Sequence, residues 1–315
     1  MIKQIIYITI SVLLLFGCNN SRNGTGLDSL NLEWTPLDSL NSHLPEGITV
    51  FQTIHVGANL RAWYVKVEEP RPNIETRVVV STDVDRRETI SDFATRLQAA
   101  VLINGGYFRM DLNPAKHVGI LKVNDELIHG ATTSVIRNEK RYYIHRAAIG
   151  FDVNDQASIE WVSTSGDSVF RWEHPIYNLP GSPGEQLDPK LRTHWTYRDI
   201  LGGGPQLIRD GKIDIPINEE LFFGTSIPSV HPRTAAGITA AGDLILLLVD
   251  GRQLISRGVD LEELAKILYD LGCQTAINLD GGGSSALVVN GILLNRPAGK
   301  TTQREVMSAL AVFAR

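Results

Sequence analysis

Gln274 to Gly291 reads QTAINLDGGGSSALVVNG: an apolar run with polar residues at alternate positions, three consecutive glycines, two serines, and a second apolar run ending on Asn-Gly. Side chains alternate faces along a strand, so Asn278 and Asp280 point one way while Ile277 and Leu279 point the other. Two polar groups are thereby delivered to one mouth. Gly281, Gly282 and Gly283 cost backbone entropy and pack nothing, a loss offset where backbone N–H groups approach a ligand closely, as in an anion-binding nest. A plain hairpin turn is the competing reading of three glycines taken alone. Ser284 and Ser285 would add hydroxyls at the same place.

Outward from this stretch, Asp243 to Asp250, DLILLLVD, reads as a buried strand that ends on Asp250-Gly251-Arg252. Asp260 then caps a helix, with Glu263 three residues later completing a capping box. Leu261, Leu264, Ala265, Leu268 and Leu271 form its core stripe, and Gly272 stops it. Strand, helix, strand predicts a crossover and a locally parallel pair. Elsewhere the turn chemistry is antiparallel: Asn124-Asp125, Asp210-Gly211 and Asn290-Gly291 each sit between short apolar runs. Leu201 to Gly211 repeats the pattern of three glycines, an apolar run and a two-residue turn, which we read as two hairpins obeying the same turn rules rather than an internal repeat. The expected fold class is therefore α+β: a mixed, largely antiparallel sheet with packed helices in a single main domain.

Toward the N-terminus, Ile48–Val56, Arg61–Glu69 and Thr76–Asp83 read as successive strands, and Thr89 to Gln98 as a short helix with Ile90, Phe93, Ala94 and Leu97 on one face. The apolar run that follows ends on Asn104-Gly105-Gly106-Tyr107-Phe108. The segment from Tyr177 to Arg198 reads as a long loop able to cover or line a site. Met1 to Gly17 has the lysine, apolar run and small residue of a secretory signal, and Leu15-Phe16-Gly17-Cys18 resembles a bacterial lipobox, with ordinary signal cleavage as the alternative. The expected organisation is a lipoprotein signal peptide over 1–18, a flexible tether over 19–45 and a folded domain over 46–315, its motifs between 101 and 315. The protein is thus expected to be exported and membrane-anchored through a lipid on Cys18. Cys273 would then be the sole remaining thiol, a buried apolar residue rather than a nucleophile. A formal charge of −5 over 315 residues, with no basic run, argues against a nucleic-acid partner.

Asn104, Asp250 with Arg252, and Asp280 all terminate apolar strands beside glycine, and His231-Pro232-Arg233-Thr234 adds further polar groups. Each alone has a structural explanation, as turn former or salt bridge. Together they form a coherent site, because a carboxylate or guanidinium at a strand end is costly unless paired or exposed.

NGGYF at Asn104, HPRTAAGIT at His231, LLLVDGR ending at Arg252, the run from Gly258 through INLDGGGSSALVV, and the tail around Arg304 resemble the phosphodiester glycosidase family. The resemblance implies a hydrolase acting on a sugar whose anomeric carbon is linked to a phosphodiester. It places motif residues on Asn104, Gly105, Gly106, His231, Arg233, Thr234, Asp250, Arg252, Asp280, Gly281, Gly282, Gly283, Ser284 and Arg304. One departure stands out: Ser308 occupies a position where the family often has asparagine, which bears on specificity if that asparagine touches the sugar. In such a site Arg233 and the Gly281–Gly283 amides would hold phosphate. Asp280 is the first choice for the carboxylate at the anomeric carbon, Asp250 the second, and His231 either shuttles a proton or is structural. Two rival readings stay open. A divalent cation could sit on Asp250, Asp280, Asn104 and His231 in a metal phosphodiesterase. A surface module could bind phosphoglycan without turnover.

Overall fold

The computed structural model describes residues 32–70, 72–300 and 302–315. The signal segment, Cys18 and the first part of the expected tether lie outside the described residues. From Leu32 onward the chain already belongs to the folded unit. Thr35–Pro36 pairs with Ile48–His55, and the Trp34 ring meets Tyr64 edge-on at 4.7 Å. Leu37 and Leu44 pack against the core, so the domain begins earlier than the sequence suggested. The segment reads as a tether because its few apolar residues lack a period.

The α+β expectation is overturned. Strands make up 42% of the described residues and helices 12%, and the α-helices among them are Asp38–Asn41, Ile90–Leu97 and Leu261–Asp270. Every pairing between described strands is antiparallel. The expected parallel pair fails for a specific reason. Leu244–Val249 and Cys273–Asn278, joined by the helix, do run in the same direction, but Arg233–Thr239 lies between them and is antiparallel to both.

Three sheets share one core. An eight-stranded sheet holds Ile48–His55, Leu60–Val67, Leu244–Val249, Arg233–Thr239, Cys273–Asn278 and Gln206–Arg209 in that order, with Thr35–Pro36 and Lys212–Ile213 at its edges. A seven-stranded sheet is built around Ala157–Ser165, Arg146–Phe151, Asp199–Gly202 and Leu121–Val123. A five-stranded sheet contains Leu287–Val289, Val101–Asn104, Ser308–Ala314 and Ile74–Val80. Period-two alternation explains how the apolar run 244–249 serves two faces. Leu244, Leu246 and Leu248 enter the central core with Ile149, Leu201, Ile103 and Leu310, while Ile245, Leu247 and Val249 meet Leu264 and Leu268 of the helix. Truncating Leu246 or Leu248 to alanine would cost about 2–5 kcal/mol.

The local signals behave as expected. Asp260 and Glu263 form the capping box, and Thr89 with Asp92 forms another at the shorter helix. Asn124, Asp125, Asp210 and Asn290 take positive φ in their two-residue turns. Cys273 is buried against Gly237, and burial pushes its thiol up to about 12. It is an inert core residue.

The three glycines are not a hairpin. The chain leaves the eight-stranded sheet at Asn278, passes through Gly281–Gly283 and enters the five-stranded sheet at Leu287. Gly202–Gly204 makes the corresponding passage from the seven-stranded sheet into the eight-stranded one. Asn104–Gly106 leaves the five-stranded sheet. These passages touch: the Gly204 amide donates to the Asn278 carbonyl at 2.8 Å, and the Asp280 amide donates to the Gly105 carbonyl at 3.1 Å. A Cβ on Gly106 would stand 2.3 Å from the Gly202 carbonyl oxygen, so side chains are excluded by contact between sheets.

Candidate active site

Where the passages meet, a cleft of about 160 Å³ opens between Asp280, Gly281–Gly283, His231, Arg233, Arg252 and Arg304, with Tyr107, Ser226, Ile227 and Leu279 completing it. Asp280 is the one carboxylate among the described lining residues. Its backbone is fixed on both sides, since the Asn104 Nδ2 donates to its carbonyl at 2.6 Å and its own amide is taken by Gly105. Its Oδ1 accepts from the Gly281 amide at 2.9 Å. Burial pushes the carboxyl up to about 6, against the pull of the Ser284 hydroxyl, the Arg304 charge and the Gly281 amide.

Asn104 and Thr234 stand behind the cleft rather than in it. Both are fully buried, and the Asn104 Oδ1 accepts from the Thr234 Oγ1 at 2.6 Å and from the Ala286 amide at 3.2 Å. They bolt the glycine passage to two sheets. Gly105 and Gly106 are equally structural: a Cβ on Gly105 would lie 2.5 Å from the Ser308 Oγ. Ser308 itself is buried, receives the Gly106 amide at 3.3 Å and does not line the cleft.

Arg233 is 3% exposed, yet among the described residues it meets no carboxylate. Its Nε donates to the Val259 carbonyl at 2.9 Å and its Nη2 to those of Ile227, at 2.7 Å, and Ser229. Burial draws it down to about 10, so it stays charged at neutral pH. Among the described residues its Nη1 carries no hydrogen bond, and Arg233 lines the cleft. His231 donates from Nε2 to the Ser226 carbonyl at 2.9 Å, which leaves Nδ1 as acceptor for the Arg252 Nη2 at 3.3 Å. Burial lowers its pKa, and the Arg233 and Arg252 charges lower it further. His231 is thus neutral and aims Arg252.

Two exposed arginines crown the glycines. A Cβ on Gly282 would meet the Arg252 Nη2 at 3.1 Å, and one on Gly283 would meet the Arg304 Nη2 at 2.5 Å. The expected three-amide nest is reduced to one donor. The Gly281 amide serves Asp280 and the Gly282 amide the Pro232 carbonyl, while the Gly283 amide has no partner among the described residues. Ser284 accepts weakly from Arg304 at 3.5 Å, whereas the Ser285 Oγ is buried outside the cleft with no partner.

The match of the phosphodiester glycosidase family model to residues 97–313 takes in every one of these elements. The chain belongs to the phosphodiester glycosidase family. Among relatives, N-acetylglucosamine-1-phosphodiester alpha-N-acetylglucosaminidase of Bos taurus is 38% identical over 222 residues, which cover 68% of this chain and 35% of that protein. The protein of that name from Homo sapiens is 27% identical over 222 residues, 68% of this chain and 36% of its own. The chain therefore spans about a third of the length of these curated relatives. A solved structure of the catalytic domain of the zebrafish protein of that name, described as auto-inhibited by pro-peptide, shares the fold with a TM-score of 0.60 at 23% identity, covering 90% of this chain and 88% of that one. A hypothetical protein from Synechocystis gives a TM-score of 0.61 at 19% identity, covering 91% and 64%.

In this member of the family Asp250 lies apart from the cleft lining. It is fully buried, neither oxygen has a hydrogen bond of normal geometry, and its polar neighbours are Gln253, Asn295 and the Arg296 and Gly251 amides. Burial raises its pKa. The four residues proposed as cation ligands do not converge: the Asn104 oxygen and both His231 nitrogens are already engaged, and Asp250 is behind the wall. No cluster of three His, Cys, Asp or Glu occurs among the described residues, and a lining with three arginines does not suit a divalent cation. Tyr107, Ser226 and Ile227 went unassigned in the sequence. Tyr107 donates to the Gly204 carbonyl at 2.8 Å and accepts from the Asn278 Nδ2 at 2.7 Å; burial raises its pKa, and the Asp280 charge adds to the rise. The 177–198 segment borders other surfaces, and the cleft is flanked by 226–231 instead.

Proposed function

We propose that this protein is a hydrolase that cleaves the glycosidic bond of a sugar-1-phosphodiester, releasing free sugar and a phosphate monoester. The observation that carries the reading is Asp280 facing Arg233, Arg252 and Arg304, none of which has an ion-pair partner among the described residues. Such a cleft asks for an anionic guest with an electrophilic carbon beside the anion. The departing monoester has a second pKa of about 6, so its oxygen leaves with little protonation. A strong general acid is dispensable, which suits a cleft with a single carboxylate.

In this reading the phosphoryl oxygens meet the Arg233 Nη1, the Arg252 and Arg304 guanidiniums and the free Gly283 amide. Asp280 drives displacement at the anomeric carbon. The electron pair of the broken C–O bond leaves with the phosphate, and water supplies the hydroxyl kept by the sugar. His231 is a positioning residue that aims Arg252. The names of the relatives make N-acetylglucosamine the first sugar to test. Incubation with its methyl phosphodiester should yield reducing sugar and methyl phosphate, and Asp280→Asn should abolish both. Binding without release by the wild-type protein would overturn the enzymatic reading in favour of a phosphoglycan-binding module.

The same proposal has the protein exported and held at a membrane by a lipid on Cys18, supported by the apolar run Ile5–Phe16 and the small residue before the cysteine. Cys18→Ser should abolish incorporation of labelled palmitate and shift the protein out of the membrane fraction. Unchanged labelling would overturn it.

A further inference from the structure

The glycine passage has a second side. Beyond Gly283 lies another hollow of about 140 Å³, walled by Arg252, Pro297, Lys300, Thr302, Gln303 and Arg304. It shares Arg252, Gly283 and Arg304 with the cleft, so the two hollows are separated by a single ridge. Its described lining holds three cations and no carboxylate, and none of the three has an ion-pair partner among the described residues. Glu305, the adjacent acid, is exposed and lines neither hollow.

This wall is tied down. The Pro297–Gly299 turn packs against the Gly282–Ser284 turn, and the Gln253 Nε2 donates to the Arg296 carbonyl at 3.2 Å. At the other end the Gln303 Nε2 donates to the Ser91 Oγ at 2.6 Å while its Oε1 receives the Ser91 amide at 3.3 Å. Lys300 thus directly follows the anchored Pro297–Gly299 turn, and Gln303 is anchored as well. Like charges held beside one another repel unless an anion joins them.

We propose that this second hollow is the aglycone subsite and that it takes an aglycone bearing a further phosphate group, bound by Lys300. The proposal rests on the function proposed above. A phosphodiester has two arms. With the phosphate on the ridge and the sugar toward Asp280, the other arm leaves toward Pro297 and Lys300. Arg252 and Arg304 are committed to the ridge phosphate, and Lys300 remains for the next anion along the chain. The substrate class is then a run of sugar or polyol phosphates rather than a sugar-1-phosphodiester with a neutral aglycone.

Three synthetic N-acetylglucosamine-1-phosphodiesters decide it: one with methyl, one with glycerol and one with glycerol phosphate as the second arm. The glycerol compound separates size from charge. For the wild-type protein kcat/KM should be about tenfold higher for the phosphorylated compound than for the glycerol one at low salt, and the ratio should shrink at high salt. Lys300→Gln, at an exposed position, should bring the ratio close to one. A wild-type ratio near one, or a ratio unmoved by Lys300→Gln, overturns the subsite. Failure to release sugar from all three compounds defeats the catalytic reading. The subsite is then decided by dissociation constants for the same compounds, measured on Asp280→Asn with and without Lys300→Gln, where an equal affinity for glycerol and glycerol phosphate overturns it.

Discussion

Replacing Asp280 by asparagine should make the protein more stable and inactive at once. Its carboxyl is raised from 3.8 to about 6, and at about 1.36 kcal/mol per unit this corresponds to a ceiling of about 3 kcal/mol of destabilisation by the ionised form. The residue is partly solvent-accessible and the amide introduces a donor that needs its own partner, so about 1–2 kcal/mol is the realistic gain. For a fold of this size that is about 2–8 °C in Tm. The sign follows from proton uptake. Between the unfolded value and about 6 the native state binds more protons than the unfolded chain, so wild-type stability falls as pH rises through this window and is flat above it. Asp280→Asn lacks that fall. Its advantage should be full at pH 8 and nearly gone at pH 4, as read by thermal melts of both proteins. Glu220, pushed up to about 7 by burial, titrates in both proteins and cancels in the difference. Turnover should drop by at least about 10³-fold. A variant that melts lower than wild type at pH 8, or that keeps a tenth of the activity, would refute the assignment of Asp280 as a strained catalytic carboxylate.

Wild-type kcat/KM should decline as pH falls through about 6, where Asp280 takes up its proton, and a flat profile from pH 8 to 5 would place the working base elsewhere. Arg233→Ala should cost about 3 kcal/mol in denaturant unfolding, because the carbonyls of Val259, Ile227 and Ser229 lose their donor in the interior. Gly283→Ala puts a methyl 2.5 Å from the Arg304 Nη2, so Arg304 should swing away and KM rise about tenfold while stability changes by less than about 1 kcal/mol. Chelator treatment should leave sugar release unchanged, and loss of activity restored by calcium or magnesium would revive the cation reading.

Chemistry was more legible in the sequence than architecture. Asp280 and Asn104 stood out because polar residues that close apolar strands beside glycine are poor core material, and Arg233 as a further polar group in HPRT; Asp280 and Arg233 line the cleft, while Asn104 stands behind it and holds the Asp280 carbonyl. The helix cap at Asp260 and the two-residue turns were readable because each is decided within four residues, whereas the cap at Thr89 was not read. Sheet membership is decided by contacts distant in sequence, and there the reading failed. The run from Leu244 to Asn278 has the signature of a crossover between neighbours, and nothing in it reveals that Arg233–Thr239 occupies the place between. Asp250 ends a strand just as Asp280 does, yet its side chain is buried and does not line the cleft. Tyr107 was hidden because an aromatic residue after an apolar strand reads as core, and Ser226 and Ile227 because an aperiodic loop carries no signal.

The glycine passages also limit how such a protein can diversify. Each belongs to two sheets at its two ends, so an insertion in any one would shift pairing on both and displace the floor beneath Asp280. Novelty in what the protein recognises is therefore left to residues that border the two hollows without joining sheets, Ser226 and Ile227 at the cleft and Pro297, Lys300 and Gln303 beyond the ridge. Reaction chemistry is inherited with the scaffold, while the choice of guest can drift along its rim.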